Sequence, residues 1–294
     1  MQTFIHKVRQ WRTPGRLALF VGGLLALWAP VVLLWMLVSG WLPGEAPAQF
    51  QLVGITVLLY LAVPTVLWGM ARALDGRSLA QYGLVGDWTN LALVGAGMLL
   101  GLVGLTVFLG LEGWLGWLRW DTSRLGGWGR MLVEGLLIGL GVGFMEELLF
   151  RGFLLHTFRR DYGLTAAWVI TALVFALTHF IKPLEVILAT WVQFFGLVVM
   201  GAVLVFARVR GGGRLGLSVG LHAGWVWGYY LVDTLDLVVY DRPGVPQWLT
   251  GIGGNPIAGL MGVCFLLVTA AVIRALPPVE PGAGVSAPGT GGLG

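Results

Sequence analysis

The chain has 294 residues, of which 57% are hydrophobic and only 11% are charged, and its mean hydropathy is +0.85. This composition excludes an ordinary soluble domain and is typical of a polytopic membrane protein. The net charge of +4 does not indicate nucleic-acid binding, because the basic residues stand singly or in small groups beside apolar segments, where they orient membrane spans. The single cysteine, Cys264, excludes a disulfide framework and a thiolate metal cluster.

Apolar windows of about 20 residues predict an all-α transmembrane bundle of eight spans. The predicted spans are residues 17–40, 50–74, 89–111, 132–157, 164–181, 186–207, 215–235 and 256–275. A basic segment, residues 1–16, precedes them, and a Pro- and Gly-rich tail, residues 276–294, is predicted to be disordered. Between these ends we expect two regions: the first three spans with an interfacial segment, residues 17–129, and a second membrane region, residues 130–275.

The basic residues predict the orientation of the spans. With the N-terminus in the cytoplasm, twelve basic residues fall inside and five outside, Arg151 not being counted. The inner set is Lys7, Arg9, Arg12, Arg16, Arg72, Arg77, Arg159, Arg160, Arg208, Arg210, Arg214 and Arg274. Both termini are therefore predicted in the cytoplasm, and the protein is expected to be a multi-pass protein of the cell membrane.

The segment from Glu112 to Arg130 carries three arginines on the predicted outer side. Its tryptophans, Trp114, Trp117 and Trp120, recur at helical spacing and predict a helix lying in the membrane interface. A re-entrant segment would also fit this pattern.

Three charged residues interrupt the fourth predicted span, at Glu146, Glu147 and Arg151. An ionised group at the centre of a membrane helix costs roughly 2.5 to 3.5 kcal/mol, so each needs a partner or a function. Glu147 and Arg151 are four residues apart, which predicts an ion pair along one helix face. Glu146 points about 100° away from Glu147, so it is expected to face another helix or a water-filled cavity.

Two histidines occur in the same half of the chain, His179 at the end of the fifth predicted span and His222 within the seventh. Measured from the predicted cytoplasmic helix ends, Glu146 and His179 lie about 20 and 22 Å deep and His222 about 12 Å, at 1.5 Å per residue. The three residues could therefore converge in one cavity, which we expect to open to the cytoplasmic side.

A carboxylate and two imidazoles in a low-dielectric cavity with access to water can hydrolyse a peptide bond. Glu146 would take a proton from water, and an imidazole would polarise the carbonyl or protonate the leaving amine. Alternatively, Glu146, His179 and His222 could ligate a divalent metal such as zinc, which lowers the pKa of bound water. The residues leave both mechanisms open.

These residues resemble three motifs of the CPBP family of intramembrane proteases, also called the ABI family, which includes CAAX prenyl proteases, bacteriocin-processing enzymes and Ras-converting-type endopeptidases. The family's E-E-x-x-x-R is Glu146, Glu147 and Arg151, its F-x-x-x-H is Phe175 with His179, and its third motif begins at His222. Gly-Gly-Asn-Pro at residues 253–256 is also similar to the family, and the resemblance covers about residues 130–275.

By this resemblance, Glu146 and His179 activate water, His222 binds the oxyanion, and Glu147 and Arg151 order the site, with Phe175 packed beside it. The family's third motif usually reads H-x-x-x-N, whereas this chain has Val226 in place of the asparagine. A valine cannot donate a hydrogen bond, so the site is either weakened or served by another donor. The neighbouring candidates are Trp225, Trp227 and Tyr229.

The resemblance implies an intramembrane endopeptidase in contact with the lipid bilayer and acting on a membrane-associated peptide or protein. A prenylated C-terminus would suit the eukaryotic relatives. A catalytically inactive scaffold or immunity protein is the second hypothesis, since Val226 breaks the motif. A transporter or proton relay is the third, although such proteins usually show internal repeats.

Overall fold

The computed structural model describes residues 10–42, 44–75, 78–124 and 126–282. The described residues are 76% helical with almost no strand, which confirms the predicted helical membrane bundle. The first residues of the basic N-terminal segment, including Lys7 and Arg9, and tail residues 283–294 lie outside the described residues.

Ten α-helices and one short β-ribbon are found in the described part of the chain. The helices are α1 Thr13–Ser39, α2 Gln49–Met70, α3 Trp88–Trp114, α4 Trp128–Glu147, α5 Leu155–Thr178, α6 Leu184–Thr190, α7 Gln193–Arg210, α8 Gly216–Thr234, α9 Gln247–Thr250 and α10 Leu260–Ala275. Strands β1 Arg119–Trp120 and β2 Val238–Val239 pair antiparallel, with Arg119 opposite Val239. Wider π-helical turns follow α2 at Ala71–Asp75 and join α4 to α5 at Leu148–Leu154.

Four described helices, α1, α2, α3 and α7, are long and apolar enough to cross a membrane, and α10 is a shorter apolar helix. The fourth and fifth predicted spans occur in α4 and α5. The helical path between them breaks at Gly163, whose φ of 81° and ψ of 172° are not helical. The predicted sixth span is divided into α6 and α7. The count of eight spans and the cytoplasmic termini stay predictions.

The chain divides into two compact units, residues 1–81 and residues 82–294. In the first unit α1 packs against α2. The second unit contains α3 to α10 and therefore Glu146, Glu147, Arg151, His179 and His222. This division does not test the functional boundary predicted at residue 130.

Helix α8 packs against both α3 and α4, and glycines allow the close approach. A Cβ atom at Gly220 would lie 2.0 Å from the carbonyl oxygen of Val94 on α3, and one at Gly143 would lie 2.9 Å from the carbonyl oxygen of Val219 on α8. Small residues spaced by four commonly let membrane helices pack at short distance. As a consequence, the middle of α8, which carries His222, lies directly beside the end of α4, which carries Glu147.

The predicted interfacial helix after α3 is wrong. Helix α3 ends at Trp114, Gly116 has a left-handed φ of 72°, and Trp120 lies in β1. The segment turns because the ribbon of β1 and β2 holds it across the end of the bundle. Glu112 in α3 is fully buried there and accepts a hydrogen bond from the Tyr240 hydroxyl at 2.7 Å.

The described part of the tail runs beside the turn that follows α7. The Val279 N–H donates to the Arg210 carbonyl at 3.2 Å, and the Gly282 N–H donates to the Gly212 carbonyl at 3.4 Å. These bonds attach the tail as far as residue 282, and the remainder of the segment predicted to be disordered lies outside the described residues.

Candidate active site

Glu147 and Arg151 form the expected ion pair, and both side chains are fully buried. Arg151 Nη1 donates to Glu147 Oε1 at 2.7 Å across the turn between α4 and α5. Arg151 Nη2 donates to the Gly201 carbonyl on α7 at 3.2 Å. The pair thus fixes the end of α4 to α7. Arg151 lies in the π-helical turn Leu148–Leu154, and turns of this type are rare and frequently occur at functional sites.

His222 completes this buried network from α8. Its Nδ1 lies 3.0 Å from Glu147 Oε1, and the residue is only 3% exposed. Because an ionised carboxylate can only accept, the proton of this hydrogen bond is on Nδ1. The ring is therefore oriented by Glu147 and presents Nε2 on its other side.

Glu146 has a different environment from Glu147. Its Oε2 lies 3.9 Å from His222 Nε2, beyond direct hydrogen-bonding distance, and has no hydrogen-bond partner among the described residues. The side chain is 18% exposed, whereas that of Glu147 is fully buried. Glu146 is thus the carboxylate that remains available for a reactant.

His179 caps the C-terminal end of α5. Its Nδ1 lies 2.8 Å from the Phe175 carbonyl, one of the carbonyls that the end of a helix leaves without a partner. A carbonyl only accepts, so Nδ1 carries the proton, and Nε2 of the neutral ring keeps its lone pair. The sequence F-x-x-x-H thereby fixes the tautomer of this histidine.

Phe175 packs at the centre of the cluster and is fully buried. Its ring centroid lies 4.7 Å from that of His179 and 6.1 Å from that of His222. The Arg151 guanidinium carbon stands 4.2 Å from the same centroid, a cation–π contact. One aromatic ring thus packs against the Arg151 guanidinium and both imidazoles.

Glu146, His179 and His222 line one cavity of about 490 Å³ in the second unit. Most of the other lining residues are apolar or aromatic, including Leu105, Phe108, Ile138, Val142, Leu197, Met200, Phe265 and Leu266. The three residues that the sequence singled out therefore meet where an apolar ligand could bind, while Glu147, Arg151 and Phe175 lie behind them.

The cavity lies toward one end of the bundle. Its lining includes the second half of α3, the second half of α4, the C-cap of α5 at His179, the first halves of α7 and α10, and α8 from His222 to Asp233. The arginines near Gly163 and at the end of α7 lie toward the opposite end. In the predicted orientation, in which those arginines are cytoplasmic, the cavity would open on the outer side. The expected cytoplasmic opening therefore disagrees with the predicted orientation of the spans.

The position of Val226 is now clear, since it lines the cavity together with Trp225 and Tyr229, whereas Trp227 does not. The indole Nε1 of Trp225 is buried and has no hydrogen-bond acceptor among the described residues. Buried donors of this kind are rare and call for an explanation. Of the three neighbouring donors that the sequence offers, Trp225 is therefore the best candidate to replace the side-chain amide of the asparagine that Val226 replaces.

Asn255 also lines the cavity, and sequence reasoning assigned it no role. Its Oδ1 accepts the Ile257 N–H at 3.1 Å. A Cβ atom at Gly196 would lie 2.0 Å from the Ile257 carbonyl oxygen, so the loop is packed tightly against α7. The Gly-Gly-Asn-Pro pattern at residues 253–256 was the sequence feature that could have indicated a role for Asn255. The position of this loop beside the histidines, however, depends on the tertiary fold.

A metal site does not form from the residues proposed for it. Within the described residues, no three His, Cys, Asp or Glu side chains are grouped so that they could hold a metal ion. Glu146, His179 and His222 as placed do not fit a metal, so we derive the chemistry from the side chains alone.

Residues 128–228 match the family described as Rce1-like, type II CAAX prenyl endopeptidase Rce1-like. The matched segment contains all three motifs, from Glu146 to His222, and ends before Asn255. No curated protein and no solved structure matches the chain significantly.

Proposed function

We propose that this protein hydrolyses a peptide bond of a membrane-associated substrate with Glu146, His179 and His222, since residues 128–228 match the Rce1-like type II CAAX prenyl endopeptidases. The family supports a CAAX-type intramembrane endopeptidase in general. The observation that carries the proposal is that these three residues line one largely apolar cavity.

Water activation falls to Glu146 and His179. Glu146 Oε2 has no hydrogen-bond partner among the described residues, and it faces the cavity region near His222 Nε2. His179 holds its proton on Nδ1, so its Nε2 lone pair can accept a hydrogen bond from the same water. A general base of this kind contributes about 10² to 10⁴ in rate.

His222 supplies a donor to the oxyanion. Because the Nδ1–H of His222 donates to Glu147, Nε2 can donate only when the ring is an imidazolium. The buried Glu147 carboxylate stabilises that cation, and Arg151 holds Glu147 in place. In this role Glu147 and Arg151 are positioning residues, since the groups that face them are His222 and the protein backbone.

Trp225 supplies a second donor in place of the amide that Val226 lacks. Its indole N–H is buried, and the residue lines the cavity next to His222. One lost oxyanion donor typically costs about 10² to 10³ in rate. We infer that the tryptophan limits this loss, and Asn255 offers a further amide at the same cavity.

The lining of the cavity supports an apolar, membrane-associated peptide as the substrate. The family implies a membrane-associated substrate, which is prenylated in CAAX processing. A cavity of about 490 Å³ with mostly apolar walls can take an apolar side chain or lipid group beside the scissile bond.

The test compares the termini of membrane peptides in a deletion strain complemented with wild type, Glu146→Gln or Glu185→Gln at matched levels, by quantitative mass spectrometry. Glu185 is exposed on α6 and does not line the cavity, so it is the matched control. We expect termini that depend on wild type and on Glu185→Gln but are missing with Glu146→Gln. Identical termini in all strains, with Glu146→Gln still restoring any deletion phenotype, would establish the scaffold hypothesis instead.

A further inference from the structure

Two cavities of the second unit differ in the charge of their linings. The smaller one, of about 250 Å³, lies where α5 meets the end of α7, and its described lining contains Arg159, Arg160 and the buried Arg208 but no acid. The lining of the larger cavity, which holds Glu146, contains a second carboxylate, that of Asp233. The proposed chemistry gives this second carboxylate no role.

Asp233 lies on the same face of α8 as His222. The two residues are eleven positions apart, which makes about three helical turns and about 16 Å along the helix axis. Val226 and Tyr229 come between them at helical spacing, and both also line the cavity. This face of α8 therefore forms a continuous wall from His222, the proposed oxyanion donor, to the exposed Asp233 at the mouth of the cavity.

The side chain of Asp233 has no ion pair or hydrogen bond with another described residue. Its neighbour Asp236, which does not line the cavity, is paired with Arg124. Lys182 does line the cavity, but its ammonium contacts the Phe180 ring at 5.4 Å and forms no ion pair within the described part of the chain. The carboxylate of Asp233 is thus available to bind a cationic group that enters the cavity.

Helix stability does not account for Asp233. The residue lies in the last turn of α8, which ends at Thr234. The carbonyl groups at the C-terminus of a helix give that end a partial negative charge, so a carboxylate there is unfavourable. A position that weakens the helix and faces the cavity is typical of a residue retained for binding.

We propose that Asp233 selects substrates with a lysine or arginine about four to six residues from the scissile bond. This inference rests on the proposed peptidase function. An extended peptide advances about 3.3 Å per residue, so about five residues cover the distance between His222 and Asp233. A carboxylate forms charge-assisted hydrogen bonds with an ammonium or a guanidinium. Because this contact is remote from the reacting bond, it should lower KM and leave kcat nearly unchanged.

The experiment uses the purified full chain in phosphatidylcholine vesicles with a library of random synthetic peptides, each anchored by a palmitoyl group. These vesicles carry no net charge, so the membrane itself does not enrich basic peptides. Mass spectrometry of the products gives the residue preference at each position on both sides of the cleaved bond. The variants are Asp233→Asn and Asp233→Lys, and Glu146→Gln measures background cleavage. Glu185→Gln is the matched control, since Glu185 is also an exposed acid and does not line the cavity.

We expect wild type to favour Lys or Arg about threefold to fivefold at one position, as an exposed ion pair gives. The preference should be lost in Asp233→Asn, change to Asp or Glu in Asp233→Lys, and stay unchanged in Glu185→Gln. With one basic peptide taken from the library, Asp233→Asn should raise KM and leave kcat close to wild type. Its melting midpoint should equal or slightly exceed that of wild type, because an unfavourable charge leaves the end of α8.

The outcomes separate this inference from the proposed function. Cleavage that depends on Glu146 but shows no preference for a basic residue, or the same preference in Asp233→Asn as in wild type, overturns the inference and leaves the proposed function intact. A lower melting midpoint with a general loss of cleavage in Asp233→Asn also overturns it, since Asp233 would then be structural. If wild type cleaves no more than Glu146→Gln does, the proposed function fails, and this inference fails with it.

Discussion

The two cavities of the second unit treat buried charge in opposite ways. Around the larger one, Glu147, Arg151 and His222 form one buried network, and Glu146 and Asp233 are the carboxylates in a mostly apolar lining. The smaller one has three arginines and no acid in its lining. The comparison teaches that the charges buried beside the first cavity are balanced within the protein, whereas the lining of the second is basic.

The largest expected effect is on sidedness, since the two cavities should open toward opposite faces of the membrane. In a Cys264→Ser background, which removes the single native cysteine, Asp233→Cys probes the larger cavity and Arg160→Cys the smaller one. In the predicted orientation, a membrane-impermeant maleimide applied to intact cells should label Asp233→Cys but should label Arg160→Cys only after permeabilisation. The opposite pattern would invert the predicted topology, and labelling of both in intact cells would refute the opposed openings.

The proposed chemistry at the larger cavity depends on Glu146 as the general base. Glu146→Gln keeps the size of the side chain but removes the base, so substrate cleavage should fall by about 10² to 10⁴. The melting midpoint should stay that of wild type, because Oε2 has no partner to lose among the described residues. Turnover of purified protein on a substrate identified from the membrane peptides checks this, with Glu185→Gln as control. Full activity of Glu146→Gln would remove Glu146 from the mechanism.

Glu147 should affect the stability of the fold as well as the turnover of substrate. Glu147→Ala leaves Arg151 buried without its carboxylate, and breaking such a pair costs about 3 to 5 kcal/mol. The free energy of unfolding in mixed micelles measures this loss. Arg130→Ala, which removes an exposed pair with Glu134 on the same helix, should cause no measurable change. A variant at Glu147 as stable as wild type would contradict the buried network.

The oxyanion donor can be tested with two neighbouring tryptophans. Both indole N–H groups are buried without an acceptor among the described residues, but only Trp225 lines the cavity. Trp225→Phe should lower kcat about 10² to 10³-fold with KM nearly unchanged, as loss of a transition-state donor predicts. Trp227→Phe should leave kcat close to wild type. Equal effects of the two variants would show that Trp225 acts through packing.

The helical bundle and the buried ion pair beside the larger cavity could be predicted from the sequence, because the spacing of residues along the chain determines both. The i,i+4 ion pair of Glu147 and Arg151 follows from helix geometry, and the apolar windows predicted the helical bundle. What could not be predicted depends on which elements meet. Arg208 was interpreted only as a topology signal, because its burial depends on the meeting of α5 with the end of α7. The helix expected at Trp117 and Trp120 was wrong because the pairing of β1 with β2, more than 100 residues apart, overrides local periodicity.

The smallest expected effect concerns the ion pair of Asp87 with Arg214 at the start of α3. Asp87 caps α3, and the Asn90 N–H and then Arg214 hold the pKa of its carboxyl below the ordinary value of 3.8. A lowered folded-state pKa means that the stabilisation is present above the unfolded pKa and is lost as the pH falls through the folded one. Asp87→Asn keeps a side-chain oxygen for the cap but removes the charge, so its melting midpoint should lie slightly below that of wild type at neutral pH. The two curves should meet at a pH well below 3.8, where the wild-type carboxyl is also protonated. A difference that persists in acid would show that Arg214 is held by geometry rather than by charge.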